Sequence, residues 1–205
     1  LYLFSIDKKM GKKIDLVGYK KALDFSYSYY KNKNRKGIQL PYFNYLSSVS
    51  NLIIESNGST DEAISGLIHD YFEFESLSRK SKLIKNKFGS KVCNIIKQCS
   101  DHESIDDDKE VWIEKKKKFL DSMQKKSQST LLVVICDKLH SMNCIINDYR
   151  KIGKRLWKNH YQSPEEITWY YKTLCKNFKK YLKNNKLLKD KFQRIFNELE
   201  YIIKN

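Results

Sequence analysis

Apolar residues recur along this chain every three or four positions and almost nowhere in alternation, which predicts helices rather than strands. Leu16, Tyr19, Ala22, Leu23 and Phe25 begin one stripe, and Phe43, Leu46, Val49, Leu52 and Ile53 form a second. Ala63, Leu67 and Ile68 begin a third, with Ser59, Thr60 or Asp61 as its cap and Glu62 in the first turn. Val92, Ile95, Ile96 and Cys99 carry the pattern on after Gly89, and Phe119 with Met123 mark a lysine-rich helix. On composition alone the run Leu131 to Cys136 fits a buried strand. Its continuation into Leu139, Met142, Ile145 and Ile146 favours one long buried helix from Leu131 to Tyr149. Ser163-Pro164-Glu165-Glu166 is a helix start with proline at the first position. It leads into Trp169, Leu174, Phe178 and Leu182, and Leu188, Phe192, Ile195, Phe196, Leu199 and Ile202 close the chain. With 7 Gly and 2 Pro there is little turn punctuation, and the acidic stretch from Ser100 to Lys109 reads as a surface loop. No internal repeat or linker interrupts the pattern. It predicts a single all-α domain over residues 1–205, of about eight to ten helices, with a core at about 20–185 and a basic C-terminal helix at 186–205.

Composition narrows the class. A chain of 205 residues with 40% hydrophobic and 31% charged residues can bury a real core and is not of the disordered type. No apolar run is expected to reach a membrane span, and no signal peptide is visible, so a cytoplasmic protein is expected. The five cysteines (Cys93, Cys99, Cys136, Cys144, Cys175) contain no CxxC pair. Their spacing points to buried thiols in a reducing compartment, not to a disulfide framework or a zinc finger. The net charge of +16 leaves three readings open: solvated helix faces, attraction for phosphorylated ligands, or nucleic-acid binding. The lysines are spread along the whole chain, which places nucleic acid last. Lys115 to Lys118 reads as a solvated helix face. The stripe from Lys172 to Lys191 is the best candidate for a polyanion surface.

The candidate chemistry lies at the ends of two apolar runs. His69-Asp70 ends the stretch from Ala63 to Ile68, Glu73 follows four residues after His69, and Asp137 ends the run from Leu131 to Cys136. Imidazole nitrogen with carboxylate oxygen suits a first-row divalent metal. Asp70 and Asp137 would be costly to bury without a cation or a strong polar partner. His69 alone could be a satisfied core histidine. His140 reads as a packing residue, and His102 and His160 as surface residues.

The runs Pro41-Tyr42-Phe43-Asn44-Tyr45-Leu46, Ala63 to Glu73, Phe88-Gly89-Ser90-Lys91-Val92 and Cys136-Asp137-Lys138-Leu139-His140 occur in one order. Together they resemble the HD-domain phosphohydrolases. They are most similar to the branch of small alarmone hydrolases, which remove the 3′-pyrophosphate of guanosine tetra- and pentaphosphate. Trp169-Tyr170-Tyr171 adds to the likeness, which covers roughly residues 20–185. The resemblance implies one divalent metal, usually manganese, held by His69, Asp70 and Asp137. Asn44 stands where the family has a fourth, histidine ligand. Asparagine is a weaker ligand than imidazole for such metals, so lower metal affinity or a lost metal is implied. Glu73 matches the first carboxylate of a catalytic pair that orients the attacking water, and Phe74 replaces the second. The loss of a general base costs ~10²–10⁴ in rate. Arg35 and Lys36 match basic residues near the substrate phosphates, Ser141 stands at a nucleotide-side asparagine position, and Tyr170 could flank a base or simply pack. Two readings follow. One is a metal-dependent phosphohydrolase acting on a nucleotide or phosphate ester. The other is a catalytically impaired member, with Phe74 filling the pocket and Asn44 bonded to Asp137, that binds a nucleotide or partner without turnover.

Overall fold

A computed structural model describes residues 11–35, 40–75, 77–100, 109–159 and 162–205. Lys36, His102 and His160 lie outside the described residues, as does most of the acidic stretch after Ser100. Among the described residues there are nine α-helices: α1 (Leu16–Tyr30), α2 (Tyr42–Glu55), α3 (Thr60–Ile68), α4 (Tyr71–Phe74), α5 (Leu77–Cys99), α6 (Lys109–Ser122), α7 (Gln128–Ile152), α8 (Pro164–Tyr181) and α9 (Lys186–Lys204). Short 3₁₀ segments follow α6 and α7. The all-α class is therefore as the periodicity required, and Leu131 to Cys136 lies within α7.

Local chemistry sets the ends. Ser59 opens α3 with a capping box: its side chain accepts from the Glu62 N–H, and Glu62 reaches back to the Ser59 N–H at 2.6 Å. Ser163 and Glu166 repeat the device at α8, with Pro164 at the first position. Gly89, at φ 90° and ψ 165°, breaks α5 into two helical arms, a conformation a side chain would strain.

α7 runs through the centre, and α2, α3, α5, α8 and α9 pack on it. Leu131, Val133, Ile135, Leu139 and Met142 are buried along its length. A second apolar cluster joins α1, α3, α4 and α5 through Ala22, Leu67, Ile68, Tyr71, Ile84 and Ile96. Gly66 lets α2 and α3 touch: a Cβ there would lie 2.6 Å from Ile53 Cδ1 and 3.0 Å from Ser50 Cα. α9 belongs to the main core. It buries Leu188, Phe192, Phe196 and Leu199, and the Phe192 ring meets Phe178 edge-on at 5.1 Å.

The expectation that no apolar run reaches a membrane span takes one correction. The helical stretch Gln128–Lys158 is long and apolar enough by length and composition. It is the core helix, wrapped by its neighbours, which is why the part from Thr130 to Cys136 is apolar on nearly every side. Among the lysines of α8, Lys172, Lys176, Lys179 and Lys180 lie on the solvent side.

The turn after α2 ties distant parts of the chain. Asn57 has a left-handed backbone (φ 61°), and its side-chain oxygen accepts from the Lys12 N–H at 2.6 Å. The Ser56 carbonyl accepts from the Asn185 side chain, just before α9, at 3.3 Å.

Candidate functional site

Three elements deliver the polar groups. His69 ends α3 and Asp70 opens α4, so the α3–α4 turn carries both. Asp137 comes from the middle of α7, where its side chain is 8% exposed. His69 Nδ1 lies 2.9 Å from the Gly66 carbonyl oxygen, which fixes the ring and aims Nε2 at the carboxylates. Nε2 then stands 3.3 Å from Asp70 Oδ2 and 3.3 Å from Asp137 Oδ1. It is fully buried and makes no well-formed hydrogen bond. A small, narrow cleft opens here. His69, Asp70, Glu73, Asp137 and Lys138 line its polar side, and Cys99, Phe119, Val133 and Val134 form the apolar wall.

The two carboxylates have further partners. Tyr42 donates its hydroxyl to Asp70 Oδ2 at 2.6 Å. Tyr45 donates to Asp137 Oδ1, and Lys138 Nζ lies 2.7 Å from Asp137 Oδ2. The electrostatics follow. Burial alone would lower His69, but Asp70 and Asp137 push it up to about 10. Burial alone would raise Asp137, yet Lys138 and His69 hold it well below the usual carboxylate range. Burial, and then Asp137, keep Tyr45 a neutral phenol far beyond its ordinary range. Lys138 is raised by Asp137 against the effect of burial.

His69, Asp70, Glu73 and Asp137 thus share one cleft. Glu73 is on its exposed side, with its backbone N–H on the Asp70 carbonyl. Asn44 is not brought to it: that residue is exposed, and the hydroxyl on Asp137 comes from Tyr45, one position on. One step along a helix turns about 100°, which sends neighbouring side chains to different faces. Phe74 does not fill the cleft. It is 45% exposed and packs edge-on against Tyr30 and Tyr42, with Lys33 Nζ 4.5 Å above its ring. Arg35 is drawn to the edge of the site by an ion pair with Asp148 at 3.3 Å, and its guanidinium lies 5.7 Å from the centre of the Tyr45 ring. Ser141 is hydrogen-bonded to the buried Tyr171. Tyr170 is 5% exposed and packs on Trp112 and Tyr171. His140 is partly buried, and its ring lies 4.9 Å from that of Tyr45.

Tyr42, Tyr45 and Lys138 are the site residues that the motif reading missed. Their signal was present: Tyr42, Tyr45 and Val49 repeat at i, i+3 and i+7 on one face of α2, and Lys138 follows Asp137 directly.

A buried imidazole nitrogen without a hydrogen bond, facing two carboxylate oxygens, fits a divalent cation in donor chemistry. The donors do not yet form a coordination shell. Among the described residues no trio of His, Cys, Asp or Glu is set to hold a metal as it stands.

Comparison with known proteins gives the same likeness at the level of family and fold. The HD domain family model matches residues 22–160. A solved metazoan orthologue of SpoT, described as hydrolysing ppGpp and playing a role in starvation responses, superposes with a TM-score of 0.69 at 19% identity. The match covers 88% of this chain and 94% of that one. The crystal structure of lmo0812 from Listeria monocytogenes EGD-e matches with a TM-score of 0.65 at 16% identity, covering 78% of this chain and 99% of that one. No curated protein matches the chain.

Proposed function

The chain belongs to the HD-domain family, and from that premise we propose that it is a metal-dependent phosphohydrolase acting on a nucleotide or nucleotide pyrophosphate, with guanosine polyphosphates the first substrates to try. The observation that carries the proposal is the buried Nε2 of His69 standing 3.3 Å from a carboxylate oxygen of each of Asp70 and Asp137. His69, Asp70 and Asp137 would hold a divalent ion such as manganese. Such an ion supplies a Lewis acid beside the phosphate and acidifies water.

The chain's own residues do the remaining work. Glu73 lies on the open side of the cleft, where a carboxylate can orient a water and accept its proton. Arg35, steadied by Asp148 and the Tyr45 ring, offers positive charge to a phosphate at the rim. The apolar wall of Phe119, Val133 and Val134 lowers the local dielectric and strengthens these interactions. The neighbour described as hydrolysing ppGpp supports the choice of substrate.

The test has two stages. Purified protein is loaded with manganese and its metal content measured, then phosphate and pyrophosphate release is followed on guanosine tetraphosphate and common nucleotides. Near one equivalent of metal with release that Asp137→Ala abolishes is the expected result. Undiminished hydrolysis by Asp137→Ala, or no turnover on any nucleotide by the loaded protein, overturns the proposal.

A second reading has its own observation. Both oxygens of Asp137 are already engaged by Tyr45 and Lys138, and the position after Glu73, where the resemblance implies a second carboxylate, carries Phe74. This favours a member that binds a nucleotide without turning it over, for which equilibrium binding of guanosine tetraphosphate without product is the expected result.

A further inference from the structure

The α2 residue that reaches Asp137 is Tyr45, and its hydroxyl occupies a candidate ligand atom. Its hydroxyl is hydrogen-bonded to Asp137 Oδ1, the same oxygen that stands 3.3 Å from His69 Nε2. Lys138 Nζ takes the other oxygen, Oδ2, at 2.7 Å. We infer that Tyr45 and Lys138 form a protein-built cap on Asp137, which competes with a cation for that carboxylate and so sets how tightly the site accepts a metal. The inference rests on the metal-centre reading above.

The geometry makes Tyr45 a placed donor rather than a passing contact. Its ring lies 6.0 Å from Tyr42, 4.9 Å from His140 and 5.7 Å from the Arg35 guanidinium. The same hydroxyl oxygen lies 3.2 Å from the Asp137 backbone carbonyl oxygen, over the α7 turn. A carboxylate oxygen that accepts a phenol hydrogen bond has less electron density for a cation. Lys138 adds a fixed positive charge beside the position a cation would take, and like charges at that range repel. Its side chain is only 24% exposed, so solvent screens that repulsion incompletely.

The cap separates two features that a donor list merges. His69, Asp70 and Asp137 decide which ions can bind, and Tyr45 with Lys138 decide how readily. A cation held by Asp137 would compete with the Tyr45 hydroxyl at Oδ1 and with the Lys138 ammonium at Oδ2.

The experiment is a manganese titration by calorimetry on the full chain. It compares the wild type with Tyr45→Phe, which keeps the ring and its neighbours, and with Lys138→Met, which frees the other oxygen. Removing a charge-assisted hydrogen bond is expected to tighten manganese binding about tenfold in Tyr45→Phe, with a further gain in the double variant. Weaker binding in Tyr45→Phe would make Tyr45 a ligand and overturn the cap. Unchanged affinity in both single variants overturns it too, while leaving the hydrolase reading standing if the wild type binds metal and turns over. No metal uptake by any of the four proteins overturns both, since there is then no cation to compete with.

Discussion

His69 and Asp137 come from different helices, yet Nε2 and Oδ1 stand 3.3 Å apart in a region almost closed to water. Neither residue tolerates that position alone. A lone buried carboxylate would shed its charge, and a lone buried imidazole would stay neutral. Placed together, with Asp70 and Lys138, each holds its neighbour in the charged form.

Asp137 is therefore structural as well as a candidate metal donor. Asp137→Ala strands the Lys138 ammonium and is expected to cost roughly 3 kcal/mol in the metal-free protein. Asp137→Asn, which still accepts a hydrogen bond, is expected to cost less. Urea unfolding in the presence of a chelator measures both.

The raised His69 gives the metal-free protein a pH signature. Its folded value of about 10 lies above the unfolded value of about 6.5. The stability it contributes is fully present below about pH 6.5, declines as pH rises, and is gone above about pH 10. The melting temperature in chelator is expected to fall across that window, and His69→Asn is expected to flatten the slope. An equal slope in the variant would show that other groups control the alkaline limb.

Gly66 links packing to chemistry. A side chain there meets Ile53 and the Ser50 backbone, so α2 and α3 must separate. The same residue's carbonyl oxygen faces His69 Nδ1. Gly66→Val is expected to destabilise by about 1–3 kcal/mol or more and to weaken manganese binding at the same time. A stability loss with intact affinity would separate the two roles.

α9 is not an appendage. Phe192 is 1% exposed and sits against Phe178. Phe192→Ala is expected to cost about 3–5 kcal/mol, and removal of residues 186–205 is expected to uncover α7 and yield an aggregating chain. Denaturant midpoints and light scattering check the pair.

Helical spacing made most of the fold legible. The stripes through Val49, Leu67, Ile96, Leu139, Phe178 and Phe196 all became buried faces, because a single period governs an all-α chain. Both capping boxes were readable, since Ser59 with Glu62 and Ser163 with Glu166 have the required offset. The membrane expectation was less complete, because a central helix wrapped by neighbours has the same composition as a spanning one. At the site, His69-Asp70 and Asp137 were visible as polar residues ending apolar runs. The α2 contribution was misplaced by one residue. Motif matching compares letters, whereas a helix presents faces, and Asn44 looked more like a ligand than Tyr45 did. Phe74 was expected inside the cleft because a catalytic carboxylate was expected at its position. The short α4 turns it outward onto Tyr42 instead.

The turn from Ser56 to Gly58 has a consequence for how the fold holds its ends. Asn57 pins the segment entering α1, and Ser56 pins the segment entering α9, within two adjacent residues. The first and last helices are thus moored to one point. Fraying at either end loosens the same turn, so the amide protons at the starts of α1 and α9 are expected to exchange with solvent as one opening unit, which hydrogen exchange measures, although they lie at opposite ends of the chain.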